Sequence, residues 1–304
     1  MSLLPAPRKP VNYLNNKDIL KEIHLSKNSF CSFSLPEYHQ YDIIIDYEDN
    51  SNLERNLAYA SSPEVIQRGK EQRAARLSAE SPIKEKIDPE TIPATDLVFR
   101  VMTWDHIPKA PKQPRKTTKK RSAKEIFEFE EETNSFDDLE DPELAAKMGM
   151  SDMAHIRVNF PPFQHFTIDS SGSFICVAKS HWQGDVNLGE FNKDMGQLTN
   201  KLAKMYLMLC EKYALRFNWR GYTYNDEMKG AAILQLTYVG LRFNEAKSQN
   251  PFAYYTAAVN NSFCRVLNSE KRNQHIRDDI LEMNNLNPSF TRQFANEYQR
   301  HNVE

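Results

Sequence analysis

The chain is organised around the stretch Asn250-Pro251-Phe252-Ala253-Tyr254-Tyr255-Thr256-Ala257-Ala258-Val259-Asn260-Asn261-Ser262-Phe263-Cys264-Arg265-Val266-Leu267-Asn268, which continues into Glu270-Lys271-Arg272. Pro251 follows the capping-type residue Asn250 and suits the first position of a helix. Apolar side chains then recur at steps of three and four residues, at Phe252, Tyr255, Val259, Phe263, Val266 and Leu267. This spacing predicts an amphipathic helix over 250–272.

The opposite face of this predicted helix carries aromatic, amide and cationic side chains, at Tyr254, Asn261, Arg265, Asn268 and Lys271. Such groups stack on bases, bind base edges and hold phosphates. We therefore interpret the helix as a DNA-reading element. The alternative is an ordinary buried helix of a bundle, whose polar side chains are solvated.

Length and composition restrict the class of protein. A chain of 304 residues is long enough for two domains, or for one domain with a long insertion. Four scattered cysteines without a CxxC pair predict a reducing compartment, with neither a disulfide framework nor a zinc site. The sequence has no signal-peptide core and no run of roughly 20 apolar residues, so we expect a soluble intracellular protein without a membrane partner.

Charge is distributed unevenly around the formal net charge of -2. Basic residues outnumber acidic ones in 1–124 and in 201–304, whereas acidic residues dominate 125–200. A basic, proline-containing linker at 108–121 precedes an acidic segment at 125–143 that lacks Lys and Arg. Like-charge blocks of this kind are usually disordered or solvated, and the alternative is that the acidic segment mimics DNA and regulates binding.

Periodicity and turn residues predict further elements along the chain. Helices are predicted at 17–27, at 63–80, from Asn192 to near Asn218 and at 225–241. Strands are predicted at 41–47, 97–104, 156–160, 166–168 and 174–177, with a hairpin turn at 169–173. Short connections predict that the last three helices pack as one unit. We divide the chain into an N-terminal segment (1–30), an insertion (31–190), a helical core (191–276) and a polar tail (277–304).

Signatures of catalysis are absent from the sequence. It contains no glycine-rich phosphate loop, no GxSxG and no HExxH. The pairs Asp226-Glu227 and Asp278-Asp279 are most simply solvated helix charges, and His181 beside Trp182 is typical of packing. We therefore expect no enzymatic activity, no cofactor and no metal.

Two blocks of sequence resemble a known family. Arg216-Phe217-Asn218-Trp219-Arg220-Gly221-Tyr222-Thr223, Gly240-Leu241, Asn250-Pro251 with Ala253-Tyr254, and the closing Lys271-Arg272 resemble the late-transcription RNA polymerase sigma factors of T-even-type phages, in order and spacing. Asn12-Tyr13-Leu14-Asn15-Asn16-Lys17-Asp18-Ile19-Leu20 resembles that family's opening segment. The length resembles the longer homologues of T-even-like cyanophages. The resemblance covers roughly 10–25 and 194–274, and the residues between lie where primary sigma factors also tolerate an extra region.

The resemblance implies a mainly α fold, namely a sigma domain-two helical bundle with a long, partly β and partly disordered insertion. It implies that the helix ending in Gly240-Leu241 binds the polymerase, through Lys229, Gln235, Leu236, Tyr238, Val239, Leu241 and Arg242. It implies DNA binding by the following helix, through Phe252, Tyr254, Tyr255, Asn261, Arg265, Asn268, Lys271 and Arg272. Ala258 and Val259 align with the tryptophan pair of primary sigma factors, so base capture falls to Tyr254 or Tyr255, and Tyr255 can equally be a core residue.

The implied function is initiation of viral late transcription in the cytoplasm of an infected bacterium. The chain would bind the clamp helices in the largest subunit of host core RNA polymerase and recognise the minus-ten element of late promoter DNA. A phage sliding clamp and a co-activator are further implied partners, and Ser135–Glu140 has a composition suited to the clamp. The alternatives are a DNA-binding repressor and a polymerase-binding adaptor without promoter recognition.

Overall fold

The computed structural model describes residues 15–46, 52–81, 86–111 and 153–301. These residues form seven α-helices, α1 (Asn16–Asn28), α2 (Leu53–Ala60), α3 (Pro63–Glu80), α4 (Asn200–Ala214), α5 (Asn225–Val239), α6 (Pro251–Met283) and α7 (Phe290–His301). They also form nine strands, β1 (Cys31–Phe33), β2 (Ile43–Ile45), β3 (Val98–Met102), β4 (Lys109–Pro111), β5 (Met153–His155), β6 (Phe163–Ile168), β7 (Phe174–Ser180), β8 (Trp182–Gln183) and β9 (Glu190–Phe191). The fold is mainly α with a small mixed sheet.

All the predicted helices are present, and most of them begin or end at other residues than predicted. α3 has the predicted bounds, whereas α4 begins later than predicted because the side chain of Thr199 caps it by accepting from the Leu202 amide at 3.2 Å. α6 runs on from the predicted end at 272 to Met283. The polar tail, for which no helix is predicted, forms α7, so α6 and α7 make a helical hairpin.

Helices α1, α4, α5 and α6 pack around one core. Each contributes apolar side chains at helical spacing, and the fully buried ones include Ile19, Ile23, Leu202, Met228, Ala232, Leu236, Val259 and Phe263. α1 is far from α4 and α6 in the sequence, yet it docks directly against both. Docking supplies the stability that a helix as short as α1 lacks by itself.

The five-stranded sheet has the order β1-β7-β6-β3-β2, with β2 and β3 parallel and the other neighbours antiparallel. Every residue of β3 is buried, because both faces of the sheet are covered. Met102 joins the core of the helical bundle, whereas Phe99 and Val101 join a second core with α2 and α3. Four of the five predicted strands are confirmed, since 156–160 is irregular and the nearby strand is β5. The predicted hairpin turn is present, with Gly172 at φ 81°.

The compact units differ from the domains expected from the sequence. The described parts of Met1–Thr103 and Val158–Glu304 form one unit, which contains the sheet and the helical bundle together. The described parts of Trp104–Arg157 form a second unit, built on the β4–β5 pair. Most of the basic linker at 108–121 and the whole acidic segment at 125–143 lie outside the described residues. None of the helices in the described part of the chain is long and apolar enough to cross a membrane.

A buried charge cluster lies where the sheet meets the bundle. It consists of Lys27 and His24 of α1, Arg100 of β3, His165 of β6 and Glu245, which follows α5. The Lys27 ammonium lies 2.9 Å from a carboxylate oxygen of Glu245 and donates to the Phe243 carbonyl at 2.7 Å. The Arg100 guanidinium lies 3.8 Å from the same carboxylate oxygen. One carboxylate therefore faces two buried cations from different elements.

Arg100 is held further by rings and by neutral imidazoles. Its guanidinium lies 3.9 Å from the ring centroids of both Tyr41 and Phe163. Its Nε donates to Nε2 of His165 at 3.0 Å, so that ring accepts there and its Nδ1 donates to the Tyr38 carbonyl. Burial, and then the charge of Arg100, lower the pKa of His24 to about 2 and the pKa of His165 well below its ordinary value.

We expect Glu245→Gln to lower the free energy of unfolding by about 3–5 kcal/mol, because two buried cations would lose their anion. Urea denaturation followed by circular dichroism measures this change. Glu71→Gln is the matched control, since Glu71 is exposed in the middle of α3, and it should alter stability by less than about 0.5 kcal/mol. If Glu245→Gln lowers the free energy of unfolding no more than the control does, Glu245 does not pair with the two buried cations.

We expect stability to fall as the pH is lowered below about 6.5, because His24 and His165 take up protons in the unfolded chain and stay neutral in the folded one. Each histidine contributes up to about 1.4 kcal/mol per pH unit below that value. Urea titrations between pH 7.5 and 5.5 test this. His165→Gln, whose amide can replace both hydrogen bonds, should flatten the dependence, whereas His275→Gln at an exposed position of α6 should leave it unchanged. Equal slopes of unfolding free energy against pH in His165→Gln and His275→Gln would show that His165 does not cause the dependence.

Candidate nucleic-acid and protein interfaces

Helix α6 is fixed in place at its first turn. The side chain of Asn250 accepts from the Ala253 amide at 3.1 Å, and that of Asn16 in α1 accepts from the Phe252 amide at 3.2 Å. The predicted apolar face is confirmed, with Tyr255, Val259 and Phe263 buried and the others partly buried against the same core. One face of α6 is therefore locked into the bundle.

The other face of α6 carries the predicted amide and cationic side chains. Asn261, Arg265, Asn268 and Arg272 follow one another at helical spacing, and Lys271 lies beside them. All are exposed except Arg265, which is half-buried. We call these five residues the α6 stripe. They present hydrogen-bonding and positive groups along one side of the helix.

The two tyrosines at the start of α6 tie it to the end of α5. The Tyr255 hydroxyl donates to the Gly240 carbonyl at 2.9 Å and accepts from the Tyr206 hydroxyl at 3.2 Å. The Tyr254 hydroxyl donates to the Val239 carbonyl at 3.0 Å, and its ring stays half-buried. A Cβ on Gly240 would overlap the Tyr206 hydroxyl, which explains the glycine.

These contacts bear on the two roles that the sequence leaves open for Tyr255, base capture and core packing. Its side chain is 1% exposed, and its ring packs edge-on against Tyr206 at 5.1 Å. Burial raises the pKa of Tyr255 well above its ordinary value. Of the two alternatives left open by the sequence, the structure places Tyr255 in the core. Phe252 and Tyr254 remain partly accessible.

The residues predicted to bind polymerase divide into two groups. Gln235, Leu236, Val239 and Leu241 are buried in the bundle, so as surface contacts these four are wrong. Tyr238 is 56% exposed and Arg242 is exposed, whereas Lys229 is half-buried and lies 2.5 Å from Asp226. The buried group follows the helical period of the core, which is why surface contacts cannot come from those positions.

Sequence reasoning missed two members of the exposed α5 face, Leu234 and Thr237. Leu234 is 53% exposed and lies one turn before Tyr238. The helical period alone could have predicted the exposure of Leu234, because positions 234 and 238 fall opposite Ala232, Leu236 and Val239 on a helical projection. We call Leu234, Tyr238 and Arg242 the α5 surface. Beside it lies a cavity of about 300 Å³, lined in part by Thr237, Tyr238, Leu241, Lys193 and Gly196.

The remaining reactive groups have structural surroundings. His181 is buried with its ring 4.1 Å from that of Phe160, as the packing interpretation predicts. All four cysteines are unpaired thiols, and burial raises the pKa of Cys31 and of Cys210 to about 12. Within the described residues, no group of three or more His, Cys, Asp and Glu side chains is arranged to hold a metal ion.

The pair Asp278-Asp279 joins the helical hairpin of α6 and α7. Asp278 accepts from the amide and the hydroxyl of Ser289, at 2.8 and 2.7 Å, and these hydrogen bonds lower the pKa of its carboxyl. Arg292 of α7 lies 3.0 Å from Asp279 and 3.4 Å from Glu282. The hairpin is thus held by polar contacts at the start of α7.

Comparison of this chain with models of protein families, with curated proteins and with solved structures gave no match.

We expect Tyr255→Phe to destabilise the fold by about 1–3 kcal/mol, because the buried Gly240 carbonyl would lose its donor. Tyr254→Phe should cost less, since Tyr254 is itself half-buried whereas Tyr255 is buried. Thermal and urea denaturation compare the two variants. DNA affinity of folded Tyr255→Phe should equal that of the wild type within error. A selective loss of affinity without loss of stability would return Tyr255 to the binding surface.

Proposed function

We propose that this chain is a phage sigma-like transcription initiation factor, which binds host core RNA polymerase and directs it to late promoters through the minus-ten element. The observation that carries the proposal is the arrangement of α6, whose apolar face is locked in a four-helix core while its amide and cationic stripe faces solvent. That arrangement suits a helix that reads or holds DNA.

The adjacency of the two sequence blocks that resemble sigma factors supports the proposal. α1 lies in the first block, and α4, α5 and α6 lie in the second, yet they share one core. Direct hydrogen bonds join the blocks, from the Phe252 amide to Asn16 and from the Thr199 amide to Ser26 at 3.0 Å. A chance resemblance gives no reason for two distant segments to meet in one bundle.

Two separate surfaces suit two partners. The α5 surface offers apolar and cationic groups at Leu234, Tyr238 and Arg242, as expected of a docking site for the polymerase clamp helices. The α6 stripe offers groups for DNA. The half-buried ring of Tyr254 is the aromatic candidate for base capture in place of Tyr255. In this proposal the chain acts in the cytoplasm of the infected host, without catalytic chemistry or cofactor, and a sliding clamp and a co-activator are further partners.

Variants that disable one surface at a time test the proposal. Leu234→Asp with Tyr238→Ala should abolish co-elution with bacterial core polymerase in gel filtration, because the change removes the apolar anchors of the α5 surface. Lys271→Gln with Arg272→Gln should retain co-elution and lower the yield of the specific transcript from a TA-rich late promoter, because phosphate contacts are lost. Leu188→Asp is the matched control, since Leu188 is 89% exposed and lies outside α5.

The wild-type result decides between the candidate functions. A repressor would bind promoter DNA without co-eluting with core polymerase. An adaptor would co-elute and yield no specific transcript. Either outcome would overturn the initiation-factor proposal.

A further inference from the structure

The loop that joins α4 to α5, residues 215–224, carries aromatic side chains between cations. Its ten residues include Phe217, Trp219, Tyr222 and Tyr224, with Arg216 and Arg220, and no carboxylate. Phe217 is 81% exposed, and both arginines are exposed. We call this segment the aromatic loop. A phenylalanine ring this exposed offers a flat face on which an unpaired base can stack.

The aromatic loop is anchored rather than loosely connected. Trp219 is buried, with its ring centroid 5.4 Å from that of Phe263 in α6 and 6.4 Å from that of Tyr213. The side-chain amide of Asn225 donates to the carbonyls of Trp219 and Ala214, at 2.8 and 3.2 Å. A fixed backbone therefore presents the exposed ring, which reduces the entropy cost of binding.

The two arginines lie against aromatic rings. The guanidinium of Arg216 lies 4.3 Å from the ring centroid of Tyr213, and that of Arg220 lies 5.2 Å from the ring centroid of Phe217. Such stacking orients each guanidinium and leaves its N–H groups available for phosphate. An exposed ring between oriented cations matches the requirements of an unpaired nucleotide, whose base stacks and whose phosphates carry charge.

The position of the aromatic loop connects it to α6. Trp219 contacts Phe263, which precedes Arg265 of the α6 stripe by two residues. Phe263 lies on the buried face of α6, so this contact fixes the aromatic loop to the core side of the helix that carries the stripe. An apolar protein partner would leave two cations desolvated without counter-charges from the loop, which disfavours that alternative.

We propose that the aromatic loop is a second contact for single-stranded nucleic acid, in which Phe217 stacks on an unpaired base while Arg216 and Arg220 bind the neighbouring phosphates. The inference deepens the proposed function and rests on it for the identity of the strand, which is the promoter strand exposed on melting.

Fluorescence anisotropy with a labelled, TA-rich single-stranded oligonucleotide tests the proposal on the free full-length chain. Phe217→Ala should weaken binding by about 5- to 150-fold, the range found for loss of one base-stacking aromatic, and Phe217→Trp should retain binding. Arg216→Gln with Arg220→Gln should reduce the slope of log affinity against log salt by about 1.4, or about 0.7 for each phosphate contact on a single strand. Leu215→Ala is the matched control, because Leu215 is 74% exposed in the same loop and should bind as the wild type does.

Equal oligonucleotide affinity of Phe217→Ala and the wild type would overturn the proposal. Loss of polymerase co-elution in Phe217→Ala with unchanged oligonucleotide affinity would assign the loop to a protein partner and overturn it as well. Failure of the proposed function has a different signature, namely no specific transcript from the wild type while the predicted oligonucleotide effects persist. Circular dichroism and thermal melting confirm that each variant is folded.

Discussion

The carboxylate of Glu245, placed between the ammonium of Lys27 and the guanidinium of Arg100, is the interaction on which the rest of the structure depends. It joins α1, the central strand β3 and the segment that leads from α5 into α6. Buried charges are costly unless each is paired and hydrogen-bonded, so these elements must hold one relative position for the cluster to form. Removing one partner would leave an uncompensated buried charge, which strongly destabilises the fold.

This constraint affects how the long segment 31–190, predicted to be an insertion, is understood. An insertion is usually pictured as a separate addition, whereas β3 and β6 share a core with the helical bundle and bury Arg100 and His165 against it. The same cluster orients the chain just before α6, since Lys27 donates to the Phe243 carbonyl. The sheet thus supports the helix that carries the proposed DNA stripe, and the stripe, the α5 surface and the aromatic loop lie on one rigid framework.

Local pattern accounts for the part of the site that could be predicted. The period of three and four residues in 250–272 placed Val259 and Phe263 inside and Asn261, Asn268 and Lys271 outside, as the structure has them. On α5, the family resemblance predicted polymerase contacts at Gln235, Leu236, Val239 and Leu241, and the structure buries these side chains in the bundle. The exposure of Leu234 could have been predicted, because its helical position opposes the core. The exposure of Phe217 could not, since exposure of a loop side chain leaves no periodic signal.

The sequence by itself determined the helices of the bundle, four of the five predicted strands and the apolar face of α6, because those features depend on neighbours within a few residues. Tertiary structure alone decided that Tyr255 lies in the core, since its partners Tyr206 and Gly240 come from other elements. It also decided that α6 continues to Met283, where polar side chains join it to α7, and that Lys27, Arg100 and Glu245 meet. Contacts between residues so far apart depend on how the whole chain packs, and one-dimensional patterns do not record that packing.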